Sequence, residues 1–160
     1  MKPVIRAMRP EEYPQLREFL YLSIFVHEGE ALPGREILDT PEFQVYLEEF
    51  GSGPADCAFV AEVNGELAGA AWARIMEDYG HVDDETPSLA ISLKPEYRGQ
   101  GLGTALLGAL LQKLGELGYR QASLSVQKAN YAVKLYEKAG FRVLQDKGEE
   151  YIMVCPLPGK

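Results

Sequence analysis

The stretch from Ser88 to Thr104, SLAISLKPEYRGQGLGT, decides the fold. Its first half is a strand, because Leu89, Ile91 and Leu93 alternate with small or polar residues at the period of two of a pleated ribbon. Pro95 has no N–H to donate and restricts Lys94, so the ladder stops there. Arg98-Gly99-Gln100-Gly101-Leu102-Gly103 then makes a tight turn, and Leu102, Leu106, Leu110, Leu114 and Leu117 recur at helical spacing. Gly118 is expected to end that helix. Gly108 and Gly115 within it cost about 1 kcal/mol each relative to Ala, for which close packing on the sheet is the expected compensation.

Strand, glycine turn and helix in direct succession have a chemical meaning. A helix start leaves backbone N–H groups without intrahelical partners, and glycines let a bulky anion approach them. The turn therefore reads as a phosphate cradle. It is not the nucleotide-triphosphate loop, since no Gly-Lys pair precedes a Ser or Thr. Nor is it the dinucleotide fingerprint: glycines 99, 101 and 103 are evenly spaced, and no acidic residue closes the next strand, QASLSV, to hold a ribose.

Composition sets the outer bounds. At 160 residues, 46% hydrophobic and 25% charged, the chain reads as one globular domain over 1–160. No apolar run approaches the roughly 20 residues of a membrane span, and Met1-Lys2-Pro3 leads into a strand-like segment without the apolar core of a signal peptide. A cytoplasmic protein with no membrane partner is expected. Cys57 and Cys155 have no CxxC or His-rich company, so neither a disulfide framework nor a metal site is expected. A net charge of -8 weighs against nucleic acid, whose binding rests on Lys and Arg at phosphates, and would draw in a cationic amine.

Ahead of the central stretch, Pro3 to Met8 reads as a strand and Arg9-Pro10-Glu11-Glu12 as a helix start, with Tyr13, Leu16, Phe19, Leu20, Ser23 and Ile24 on one face. His27 to Asp39 reads as loop, and Thr40-Pro41 opens a second short helix with Thr40 as N-cap. Asn64-Gly65 between two alternating segments predicts a hairpin with a type I′ turn, and Glu77 to Thr86 an acidic loop. After the cradle come a strand over Tyr119 to Val126, a helix to Ala139 closed by Gly140, and strands over Phe141 to Leu144 and Tyr151 to Cys155. The tail from Pro156 to Lys160 is expected to fray.

The turn Arg98 to Gly103 resembles the signature of the GNAT superfamily, the acyl-CoA-dependent N-acyltransferases. Asn130-Tyr131-Ala132-Val133-Lys134-Leu135-Tyr136-Glu137-Lys138-Ala139-Gly140-Phe141 resembles that family's other segment, N-x-A-x-x-L-Y-E-K-x-G-F. The resemblance covers almost the whole chain. It implies an α/β (α+β) fold: a mixed, mostly antiparallel sheet with helices on both faces, whose central parallel strands, Ser88 to Leu93 and Tyr119 to Val126, splay apart to admit pantetheine. It implies acetyl-CoA as cosubstrate, with Ile91, Ser92 and Leu93 beside the pantetheine and Arg98, Gly99, Gln100, Gly101, Leu102, Gly103 and Thr104 around the pyrophosphate. Asn130, which also makes sense as a helix N-cap, would touch the cofactor, and Tyr136 would protonate the departing CoA thiolate. The implied activity is transfer of acetyl to a primary amine of a small molecule or peptide by direct attack. An acyl-CoA-binding sensor or catalytically degenerate member is the rival from another class, and a protein N-terminus or lysine a rival acceptor. A homodimer is an expectation by analogy with the family.

Some relatives keep a Glu base on a central strand, whereas this chain has none on Ser88 to Leu93 and only Ser123 and Ser125 on Gln121 to Val126. Glu77, Asp78 and His81, or His27 and Glu28, are the alternatives, as is a water chain. Trp72, Tyr79, Tyr21 and Phe25 are aromatic candidates for an acceptor wall.

Overall fold

The computed structural model describes residues 2–159, so Met1 and Lys160, the two ends of the expected domain, lie outside the described residues. Seven strands make one sheet: β1 (Val4–Ala7), β2 (Cys57–Val63), β3 (Glu66–Arg74), β4 (Ser88–Leu93), β5 (Gln121–Gln127), β6 (Arg142–Asp146) and β7 (Glu150–Pro156). Their spatial order is β1-β2-β3-β4-β5-β7-β6, and β4–β5 is the parallel pair among antiparallel ones. Four α-helices accompany them: α1 (Leu16–Leu22), α2 (Pro41–Gln44), α3 (Leu102–Glu116) and α4 (Ala132–Ala139). This is the mixed, mostly antiparallel architecture expected, with helices on both faces. Among the described residues no helix is long and apolar enough to cross a membrane.

Local chemistry explains the elements. Asn64 and Gly65 both take positive φ, 55° and 79°, which a type I′ turn requires, and the β2–β3 hairpin follows. Residues Pro10–Gln15 form a 3-10 helix before α1 begins, because Pro14 has no N–H to bond the carbonyl four residues back. Arg6 on β1 fastens this turn, donating to Glu12 at 2.8 and 2.9 Å and to Glu62 of β2 at 2.9 Å. That guanidinium holds the Glu12 carboxyl down at about 2. Thr40 does occupy the N-cap of α2, but its hydroxyl donates back to Ile37 O at 2.7 Å instead of accepting from the helix, which lasts four residues. The loop expected over His27 to Asp39 contains a 3-10 helix at Arg35–Asp39.

Two cores sandwich the sheet. On one face Leu16, Phe19 and Leu20 of α1 pack on Val60, Ala70 and Trp72. On the other, Leu102, Leu106, Leu107, Leu110, Leu111 and Leu114 of α3 pack on Ala71, Ala73, Leu89 and Leu124, with Tyr136 and Phe141 at one side. Each buried Leu contributes about 1.5–3 kcal/mol. Leu117, expected in that stripe, is 41% exposed, because α3 ends at Glu116 and Gly118 turns left-handed at φ +99°.

The two interior glycines of α3 differ from expectation. Gly108 faces open space, so nothing packs there. Replacing it by Ala should stabilise the protein by about 0.5–1 kcal/mol through helix propensity alone, read as a rise in melting temperature. Gly115 packs on the C-terminal tail and not on the sheet: a Cβ would collide with the Pro158 carbonyl oxygen. The tail is accordingly held as far as Pro158, and Leu157 N–H donates to Arg120 O at 2.9 Å.

Candidate active site

The sheet opens at its centre. β4 and β5 share a single parallel pair, Ser88 with Ser123, reinforced by Ser123 N–H donating to Pro87 O at 2.9 Å, and then part. On its other edge β4 stays paired to β3 through Leu93. Lys94 N–H donates to Ala68 O, and main-chain groups alternate sides along a strand, so those of Ala90 and Ser92 also point to β3. The N–H and C=O of Ile91 and Leu93 therefore face the gap. Their side chains lie against the α3 core, while Ser92 faces α1 and donates to Phe19 O at 2.6 Å.

At the end of β4 the glycine turn is open as a cradle needs to be. Gly99 and Gly101 take positive φ, 76° and 84°, and a Cβ on either would meet nothing within 4 Å. The first bond of α3 runs from Ala105 N–H to Gly101 O at 3.2 Å, so the N–H groups of Leu102, Gly103 and Thr104 precede the ladder and remain for an anion at the positive end of the helix dipole. Arg98 reaches back to the end of β4, its Nε donating to Leu93 O at 3.2 Å. These residues fit a pyrophosphate: bare backbone, free N–H donors, and an arginine beside them.

Tyr131, not Asn130, takes the N-cap position of α4, but Asn130 one residue earlier still serves the helix start, its Oδ1 accepting Ala132 N–H at 2.8 Å. Tyr136, one turn on, is 8% exposed and sets its ring edge-on to Phe141 with centroids 5.8 Å apart. Among the described residues the one sealed side-chain nitrogen or oxygen without a partner is Gln127 Oε1. The Tyr136 hydroxyl, which has no bond among the described residues, is thus open at its tip. Burial pushes this phenol above its ordinary range. Burial likewise pushes the Cys57 thiol up to about 12, far from a thiolate at neutral pH.

The opposite, α1-facing side of the gap holds what local sequence patterns did not show. The segment between β3 and β4 folds back across β5 so closely that a Cβ on Gly80 would lie 2.8 Å from Leu124 C and Ser125 N. Gly80 O accepts the Ser123 hydroxyl at 2.7 Å, and Asp78 Oδ1 accepts the Ser88 hydroxyl at 2.8 Å. Tyr46, 7% exposed beyond α2, is the other side chain that acts on the Asp78 carboxyl. Burial raises the Asp78 carboxyl above the ordinary carboxylate range, although Ser88 and Tyr46 oppose the shift.

The other candidate bases fall away from this point. Glu77, His27 and Glu28 are exposed, and His81 Nδ1 is 2.9 Å from Met76 O. Of the aromatic candidates, Trp72 is fully buried in the α1 core, with Nε1 donating to Tyr46 O at 3.2 Å, and Tyr21 donates to Pro33 O. Tyr79 is 49% exposed. A recess of about 330 Å³ beside Arg74 lies outside the gap, and the guanidinium within it is committed to Asp56 and two carbonyls.

Comparison with known proteins agrees with this arrangement. The family profile described as acetyltransferase (GNAT) family matches residues 19–141. A mycothiol acetyltransferase of Propionibacterium freudenreichii is 34% identical over 92 residues, 57% of this chain and 29% of that protein. The chain thus spans about three-tenths of the length of that relative. An N-alpha-acetyltransferase of Sulfurisphaera tokodaii is 32% identical over 115 residues, 62% of this chain and 68% of that one. A GNAT family acetyltransferase structure from Streptococcus pneumoniae superposes with a TM-score of 0.73 at 26% identity, covering 98% of this chain and all of that one. The fold is also that of the PaiA N-acetyltransferase of Thermoplasma acidophilum, solved with coenzyme A (TM-score 0.71, 22% identity, 98% and 99% coverage). The splayed β4–β5 pair, the glycine cradle and the profile match together place the chain in the acetyltransferase (GNAT) family.

Proposed function

We propose that the protein is an acetyl-CoA-dependent N-acetyltransferase acting on a primary amine by direct attack. The observation that carries this reading is a central strand that loses its neighbour after one residue pair and runs straight into two left-handed glycines and an open helix start. Arg98 and the backbone from Gly99 to Thr104 would hold the pyrophosphate. The free edge of β4 from Ile91 to Leu93 would hold the pantetheine, and Asn130 the arm between them. Acetyl-CoA supplies the thioester carbonyl that the amine attacks. The gap-facing N–H groups of β4 supply fixed dipoles to an oxygen that gains negative charge, with no side chain required.

Tyr136 bears on the leaving sulfur as a hydrogen-bond donor. Reference pKa values of about 10 for a phenol and about 8.5 for a thiol make complete proton transfer to a thiolate uphill, and burial makes it more so. The hydroxyl stays protonated and stabilises the charge as it builds. Neither cysteine is poised for an acyl-enzyme, since burial raises both thiols.

The N-alpha-acetyltransferase relative, of which the chain covers 68%, favours a peptide α-amine as acceptor. The test is release of free CoA thiol from acetyl-CoA in the presence of short peptides with free or blocked α-amines and of small primary amines. Thiol release that requires an unblocked amine, with the acetylated amine recovered, supports the reading. Tight acetyl-CoA binding with no transfer to any of them would favour a sensor.

A further inference from the structure

The two strands that frame the gap carry no carboxylate, yet the fold delivers one to their junction. Asp78 arrives through the fold-back of the β3–β4 segment, which Gly80 makes possible by lying directly on the backbone of β5. Its Oδ1 is 2.8 Å from the hydroxyl of Ser88, the residue at which β4 and β5 are still joined. Ser88 and Ser92 share a face of β4, and Ser92 is bonded to α1, so Asp78 approaches from the α1 side. Tyr136 belongs to the core on the α3 side. The carboxylate and the phenol thus lie on opposite faces of the sheet, which suits an amine and a thioester entering from opposite sides.

We propose that Asp78 is the group that meets the acceptor's ammonium and takes its proton, an assignment that rests on the N-acetyltransferase reading above. The ammonium R–NH₃⁺ gives one proton to the carboxylate, leaving neutral R–NH₂ with its lone pair free for attack and Asp78 as the acid, which returns the proton to water. Burial at this position raises the carboxyl toward neutrality, where a base is most effective. The titratable groups that face the Tyr46–Asp78 pair are Tyr79 from the same segment and Glu150 from β7, both acting to hold protons locally. Tyr46 lies beside the carboxylate and, itself raised by burial and by Asp78, remains a phenol.

Methylamine and hydroxylamine are close in size but differ at pH 7: methylamine is almost wholly protonated, hydroxylamine mostly neutral. With acetyl-CoA saturating, Asp78→Asn should lower kcat/KM for methylamine by about a hundredfold or more, and for hydroxylamine by about threefold or less, over the uncatalysed background. Equal loss for both amines, or loss for neither, would overturn the assignment. Ser88→Ala gives a second readout. It removes a hydrogen bond that favours the charged carboxylate, so the Asp78 pKa rises and the rising limb of the methylamine pH profile moves to higher pH. An unmoved limb contradicts the proposal even where Asp78→Asn does not fold. Without any substrate, carboxyl-¹³C NMR of aspartate-labelled protein should show one aspartate titrating above the ordinary range and lost in Asp78→Asn. A normal Asp78 titration would also contradict it. A wild type that binds acetyl-CoA but acetylates neither probe overturns the transferase reading itself, and the assignment with it.

Discussion

Asp56→Ala should lower the stability of this protein by about 3–5 kcal/mol, the cost of leaving one partner of a buried ion pair unmatched. The Asp56 side chain is 2% exposed and that of Arg74 10%. Arg74 gives Nε and one terminal nitrogen to Asp56 at 3.3 and 3.0 Å, and its other nitrogen to Val45 O and Glu48 O at 3.1 and 2.8 Å. Asp56 also accepts the N–H groups of Gly51 and Gly53 at 2.9 and 3.1 Å. Truncation therefore leaves a buried guanidinium without its carboxylate and takes the acceptor from two loop N–H groups. At roughly 2–4 °C per kcal/mol for a chain of this size, the melting temperature should fall by about 6–20 °C. Arg74 is the last residue of β3, and the segment it clamps contains Tyr46, so the loss should also loosen the partner of Asp78. A fall of less than about 2 °C would show that the clamp contributes little.

Tyr136→Phe has the opposite profile. Among the described residues the hydroxyl makes no bond, so its removal leaves nothing unsatisfied there, and stability should change by less than about 0.5 kcal/mol. The ring keeps its contact with Phe141. Under the proposed mechanism the variant loses a donor to the leaving sulfur, and kcat should fall tenfold or more while acetyl-CoA affinity stays within about twofold. Because burial keeps the phenol protonated, this deficit should be constant from pH 6 to pH 9. A kcat within about twofold of wild type would remove Tyr136 from the chemistry and leave it as a core aromatic.

Features set by neighbouring residues were legible in the sequence. Alternation at Leu89, Ile91 and Leu93, the Asn64-Gly65 turn and the glycines at 99 and 101 each depend on local backbone geometry, and the element order followed from them. The open glycine turn was legible for the same reason. Contacts between distant segments were not. Gly115 looks like any weak helix residue until Pro158 comes to lie on it, and Leu117 keeps the helical period although the chain has already turned at Gly118. Thr40 carries the residue type of an N-cap, but its hydroxyl found Ile37 O first. Asp78 sits in an acidic loop, where the sequence offers it as a base only alongside Glu77 and His81. Its position depends on Gly80 meeting β5, a contact spanning more than forty residues that leaves one glycine as its only trace in the sequence.

The central claim is that the turn from Arg98 to Thr104 holds the pyrophosphate of acetyl-CoA, and calorimetric titration tests it most directly. The wild type should bind acetyl-CoA in about the micromolar range. Gly101→Glu sets a carboxylate in the open space over the free N–H groups of α3, and should abolish that binding while the protein remains folded, as judged by its melting transition. A folded wild type that does not bind acetyl-CoA, or a Gly101→Glu variant that binds it as tightly as wild type, would contradict the account.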